Sequence, residues 1–185
     1  MKVKFGFKNA YYAKINIDEN GGVTYEKPVH MPGAVSLSLA PSGESVEFYA
    51  DDGLYFSDAG NNGYEGSLEL ALIPESFKTD ILNEVADANG VLVEDATKVT
   101  NPFALLCEFT QDDGARKFCF YHCTSSRPSL EATTKGETKE IGTETLNIIC
   151  RPNKEGIVKI STKADTDETV LTDWYTEVYT GTSQI

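Results

Sequence analysis

The stretch DAGNNGYEGSLE, Asp58 to Glu69, carries the donor types of a calcium-binding loop. Counted from Asp58, oxygen donors stand at the fifth place (Asn62) and the twelfth (Glu69), with Gly63 at the sixth, as in an EF-hand. The chemistry would be coordination of a hard cation by carboxylate and amide oxygens. Two features oppose it. The third place is Gly60 and the normally apolar eighth is Glu65, and the flanks VEFYADDGLYFS and LELALI have strand composition where an EF-hand needs helices. The acids and asparagines are therefore read as turn formers, and no metal is expected.

Other reactive residue types are scattered. Asp51-Asp52 and Asp112-Asp113 could suggest paired-carboxylate acid–base work, but each pair precedes a glycine between strand-like runs, where aspartate suits turn geometry. Four cysteines, Cys107, Cys119, Cys123 and Cys150, include no CxxC pair. Cys119 and Cys123 are read on one face of a strand, roughly 13 Å apart, too far for one metal or one disulfide. They read as reduced, buried thiols. His30 and His122 supply no base for a nucleophile, and His122 alternates with Phe118 and Phe120 as a packed or interface residue. GxSxG, HExxH and phosphate-loop patterns are missing, so neither catalysis nor a cofactor is expected.

The elements that would position these residues are mostly strands. Val3, Phe5 and Phe7 alternate with polar neighbours, and Tyr11, Ala13, Ile15 and Ile17 share a face before DENGG turns the chain into Val23 to Lys27. Val35, Leu37 and Leu39 line a further strand. Ser45 to Tyr49 and Leu54 to Phe56 flank a turn at Asp51-Asp52-Gly53, and Leu68, Leu70 and Leu72 share one face. Pro74 changes the period: Phe77, Ile81 and Val85 predict an amphipathic helix that stops at Asn89-Gly90. Strands resume at Gly90 to Val93, Phe103 to Thr110, Arg116 to Cys123, Thr145 to Arg151 and Ile157 to Thr162. Asp165 and Glu168 suggest a capping box for a terminal helix lined by Val170, Leu171, Trp174, Tyr175 and Val178. A polar Thr/Glu-rich segment, about 127–144, reads as an exposed strand pair or an arm. The sum is one mainly β domain over 1–185, an antiparallel sandwich or barrel with one flanking α-helix and a short C-terminal helix.

Charge bounds the partners. The net formal charge of −13, with no basic cluster, disfavours nucleic-acid and anionic membrane surfaces. No run reaches the roughly 18 apolar residues of a membrane helix, and the N-terminus lacks a secretory signal's apolar core. Assembly in a cytoplasm is expected. Nine tyrosines and nine phenylalanines supply material for protein interfaces as well as for a core.

The stretch FYADDGLYFSDAGNNGYEGSLELALIPESFKTDIL, Phe48 to Leu82, resembles the major tail proteins of long-tailed bacteriophages, the phi13-type family. KFGFKNAYYAKI, MPGAVSLSL, NGVLVED, PFALLCEF, YHCTSSRPS and TDETVLTDWYTEVY extend the resemblance, in order, over nearly the whole chain. It implies a tail tube fold and a structural virion protein of the phage tail. Its partners would be itself, in hexameric rings stacked into a tube, and the tape-measure, tail terminator and distal tail proteins. DNA would cross the lumen without sequence-specific binding, and six copies at −13 each would offer it few counterion-releasing contacts. The inner tube of a contractile injection machine, or an acidic adhesion or carbohydrate-binding β module, are the alternatives. The long loop at about 50–64, with Asp51, Asp52, Tyr55, Phe56, Asp58, Asn61, Asn62 and Tyr64, is expected to reach a neighbouring subunit or the next ring.

Overall fold

The structure is a computed structural model that describes residues 4–111, 114–130 and 142–181. Strand accounts for 49% of it and helix for 8%. In chain order the elements are β1 (Lys4–Ile17), β2 (Val23–Tyr25), β3 (Val29–Met31), β4 (Ala34–Pro41), β5 (Ser45–Ala50), β6 (Gly53–Ala59) and β7 (Tyr64–Leu70). They continue with α1 (Glu75–Asp80), β8 (Val85–Ala86), β9 (Leu92–Val93), β10 (Phe103–Gln111), β11 (Gly114–Ser125), β12 (Glu144–Arg151), β13 (Lys159–Ser161) and α2 (Glu168–Asp173).

Among the described residues nine strands form one antiparallel sheet ordered β2-β1-β10-β11-β12-β7-β4, with β3 also on β1 and β13 also on β11. The expected barrel does not close. Cα atoms of β1 and β4 approach within 8 Å, yet no ladder joins them. One edge of β4 is left unpaired among the described residues, so the sheet is open and curled. The long β1 bends at two register shifts, between Phe5 and Phe7 and between Lys8 and Tyr11. Gly6 and Asn9 stand there with positive φ, the conformation a bulge of this kind uses.

Each face of the sheet carries a core. The first gathers Tyr12, Met31, Leu68, Leu70, Phe103, Leu105, Leu146 and Ile148 under Phe77, Ile81 and Leu82. The second gathers Ala13, Ala104, Leu106, Cys119 and Tyr121 under Trp174 and Val178. Alternate residues of β10 therefore enter opposite cores, and burial on both faces explains the near-continuous apolar run PFALLCEF. Tyr12 donates to Asp80 Oδ2 at 2.7 Å and ties α1 to the sheet. On the other face Tyr175 donates to the buried Glu108 carboxylate at 2.9 Å, which also meets Lys8 Nζ at 3.2 Å.

Several expectations are corrected here. Helix α1 stops before Val85, because Asn83 takes a positive φ of 57° and breaks the period; Val85 is exposed in β8. Leu72 lies past the end of β7 and is exposed. The cap of α2 is Asp167, which accepts from Thr169 N at 2.8 Å, while Asp165 pairs with Lys163 instead. Cys119 and Cys123 do not share a face. A register shift in the β10–β11 ladder places one extra residue of β11 between Phe120 and Cys123, so Cys119 enters the second core and Cys123 the first. Of the Thr/Glu-rich segment, residues 131–141 lie outside the described residues, as do Asp112 and Asp113. Arg127, at its start, bonds Glu94 at 3.3 Å and the Asp95 carbonyl at 3.0 Å.

Candidate functional site: an aromatic hairpin arm

The segment expected as a long loop is a β-hairpin. Strands β5 and β6 pair antiparallel from Ser45↔Ala59 to Ala50↔Gly53, with one register shift between Phe48 and Tyr49 that leaves Tyr55 as the extra residue of β6, and make no ladder with the main sheet. The two-residue turn is Asp51-Asp52, with φ of 51° and 60°. Both central residues at positive φ are what a type I′ turn demands, and Asp tolerates that region better than most residues. The paired acids thus serve turn geometry. Asp58 stands near the end of β6, opposite Val46.

The base of the arm is fastened by glycines. A Cβ on Gly43 would fall 1.8 Å from the Gly60 carbonyl oxygen, and one on Gly63 would fall 1.9 Å from that of Cys150. Only glycine lets these backbones approach so closely. Asn62 N donates to Ser42 O at 2.7 Å, Ser42 N to Gly63 O at 2.9 Å, and Gly60 N to Glu44 O at 3.2 Å. Asn61 accepts from Gly63 N at 3.2 Å, and Arg151 from β12 donates to the Asn62 carbonyl at 3.0 Å. Asn61, through its side chain, and Asn62, through its backbone, take part in the fastening, and both remain exposed. Tyr64 is displaced from the predicted loop too. It opens β7, half-buried, edge-on to Phe120 at 5.8 Å with Lys159 Nζ 4.3 Å from its ring centre. Glu69, the twelfth place of the apparent calcium loop, accepts from Ser36 and Thr143 on the sheet surface. These bonds hold its carboxyl below the usual range.

Beyond the base the arm presents apolar surface. Phe48, Tyr49, Leu54, Tyr55 and Phe56 are 57%, 63%, 54%, 75% and 53% exposed. Phe48 and Phe56 face each other across the ladder, and Tyr55 meets Phe48 edge-on at 6.3 Å. Phe48, Tyr49 and Leu54 join this surface and are not among the expected loop residues; the consecutive runs Phe48-Tyr49 and Leu54-Tyr55-Phe56 on either side of Asp51-Asp52 are the signal for them. A two-stranded hairpin is marginally stable alone in water, and five large apolar side chains on one are unexplained by the fold of a single copy. From Glu44 to Ala59 the arm holds five acids and no lysine or arginine. Two arms would repel each other, so the surface suits a different patch on its partner.

The cleft of about 400 Å³ beside Tyr25 and Tyr121 has Tyr121 donating to the Tyr179 carbonyl at 2.5 Å and Lys154 to that of Gly21. Among the described residues no three His, Cys, Asp or Glu side chains gather as a metal site, and no helix is long and apolar enough to cross a membrane. Compared with known proteins, the chain matches no family model and no curated protein.

Proposed function

We propose that this chain is a structural tube-forming subunit, the major tail tube protein of a long-tailed bacteriophage, located in the virion. The observation that carries the proposal is the arm: a hairpin with a hydrogen-bonded base and five exposed apolar side chains, acidic enough to avoid its own kind. Such an element suits a head-to-tail contact, in which one patch meets a different patch on the next copy. Contacts of that type close into rings or propagate as filaments. The edge of β4 that carries no ladder among the described residues supports the same reading where β1 leaves it uncovered, since an unpaired strand edge is a template for another chain. The resemblance over Phe48 to Leu82 supplies the identity of the assembly: rings stacked into a hollow tube that carries DNA, ended and measured by other tail proteins. Catalysis has no part in this role.

Negative-stain electron microscopy of the purified protein tests the proposal. Rings or hollow tubes at high concentration are expected. Isolated globules under every salt condition would sink it, and would favour an adhesion module in which the same aromatics stack on a sugar. Sheath genes beside this one would move the assignment to a contractile machine without changing the tube chemistry.

A further inference from the structure

The sheet has a narrow joint. Most ladders along its path pair seven or eight residues, but β11 meets β12 over four pairs, His122↔Arg151 to Ser125↔Ile148, because β13 occupies the rest of that edge. This short ladder joins the half β2-β1-β10-β11 to the half β12-β7-β4. Within it Cys123 and Cys150 stand directly opposite each other, both fully buried, with their sulfurs 3.2 Å apart.

We infer that Cys123 and Cys150 form a disulfide site, open as dithiol in a reducing cytoplasm and closed by a small peroxide, that staples the two halves of the sheet. Directly opposed residues of an antiparallel pair have Cα atoms about 4.5–5.5 Å apart, inside the ~4.4–6.8 Å that a disulfide spans. Side-chain rotation alone brings the sulfurs together. Cys107 and Cys119 enter opposite cores, and neither stands opposite Cys123 or Cys150 in a ladder: Cys107 faces Phe118, and Cys119 faces Leu106 and Ile160.

The chemistry balances with hydrogen peroxide as oxidant. One thiol, as thiolate, attacks a peroxide oxygen; the O–O bond breaks and water leaves after proton transfer, with sulfenic acid on the cysteine. The facing sulfur then attacks the sulfenic sulfur, the S–S bond forms, the S–O bond breaks and a second water leaves. Two thiols are oxidised and one peroxide is reduced. Burial pushes the Cys123 thiol well above its ordinary value, so the reaction is slow and passes through local opening of the four-pair ladder.

The test uses the wild-type protein, incubated with hydrogen peroxide, digested without reductant and mapped by mass spectrometry. One cross-linked peptide pair joining positions 123 and 150 is expected, with the intact mass lower by two hydrogens. The melting temperature should rise on the order of 10 °C, from the loop constraint placed on the unfolded chain, and dithiothreitol should reverse both changes. The Cys150→Ala variant should lose the cross-link and the rise. Both thiols still alkylatable after unfolding, a bridge to another cysteine, over-oxidation of either sulfur, or a cross-link without the rise would each overturn the inference. None of these outcomes depends on whether the protein builds a tube.

Discussion

Replacing Tyr55 with serine should separate the proposed assembly from folding. Tyr55 is 75% exposed on the arm, and within the chain its ring meets that of Phe48 edge-on. Loss of that contact should cost under about 1 kcal/mol of stability, a shift of roughly 2–4 °C in melting temperature. In an assembled neighbour contact the same ring would lose about three quarters of its ~200 Å², roughly 150 Å². At ~25 cal/mol per Å² that is about 4 kcal/mol, and ordering the side chain takes back about 1. A net ~3 kcal/mol per contact corresponds to roughly a hundredfold in affinity. Sedimentation across a concentration series would show the threshold for polymerisation rising by about that factor while thermal denaturation barely moves. Polymerisation at the wild-type threshold would refute the role given to the arm. So would loss of polymerisation only in company with unfolding, because Tyr55 would then be a folding residue.

Gly63→Ala should unfold the base of the arm. Its φ is +106° and the new methyl would collide with the Cys150 carbonyl, so a loss of about 3 kcal/mol or more is expected by urea titration, against about 1 for Gly90→Ala, where nothing lies within 4 Å. Tyr175→Phe removes a hydrogen bond from the buried Glu108 carboxylate and should cost about 1–3 kcal/mol in the same assay. Alkaline pH should destabilise the fold. Burial pushes Tyr25 up to about 12 and raises Tyr12, Tyr121 and Tyr175 as well, so the folded chain keeps phenolic protons that the unfolded chain releases near pH 10. That stability is complete below about pH 10 and lost as pH climbs toward and past 12. Urea midpoints that stay flat from pH 9 to 12, or phenolate absorbance appearing before unfolding, would contradict it.

Much of the architecture is legible from local pattern. Alternation marks β4, β7 and β12, a near-continuous apolar run marks β10, and DENGG marks the β1–β2 hairpin, where Ile17 pairs with Val23. What escapes is whatever depends on a distant partner. The end of α1 is set by Asn101, whose backbone N–H donates to the Ile81 carbonyl and whose amide donates to that of Asp80, from twenty residues downstream. The faces of Cys119 and Cys123 depend on a one-residue bulge against β10, which no period in KFCFYHCT announces. The arm was half readable: its turn and legs have strand and turn composition, and Gly43, Gly60 and Gly63 are spaced around it. That these glycines let two backbone legs close on each other and on Cys150, lifting the hairpin off the sheet, follows from contacts that only the folded chain makes.

In the proposed assembly, residue 55 touches another copy of this chain. A photo-crosslinking amino acid placed at position 55, activated in cells making the protein, tests it most directly. A covalent dimer of the chain, linked from 55 to a position outside the arm, is the expected product. A cross-link to an unrelated protein, a link from arm to arm, or no cross-link from protein shown to be folded would contradict the account.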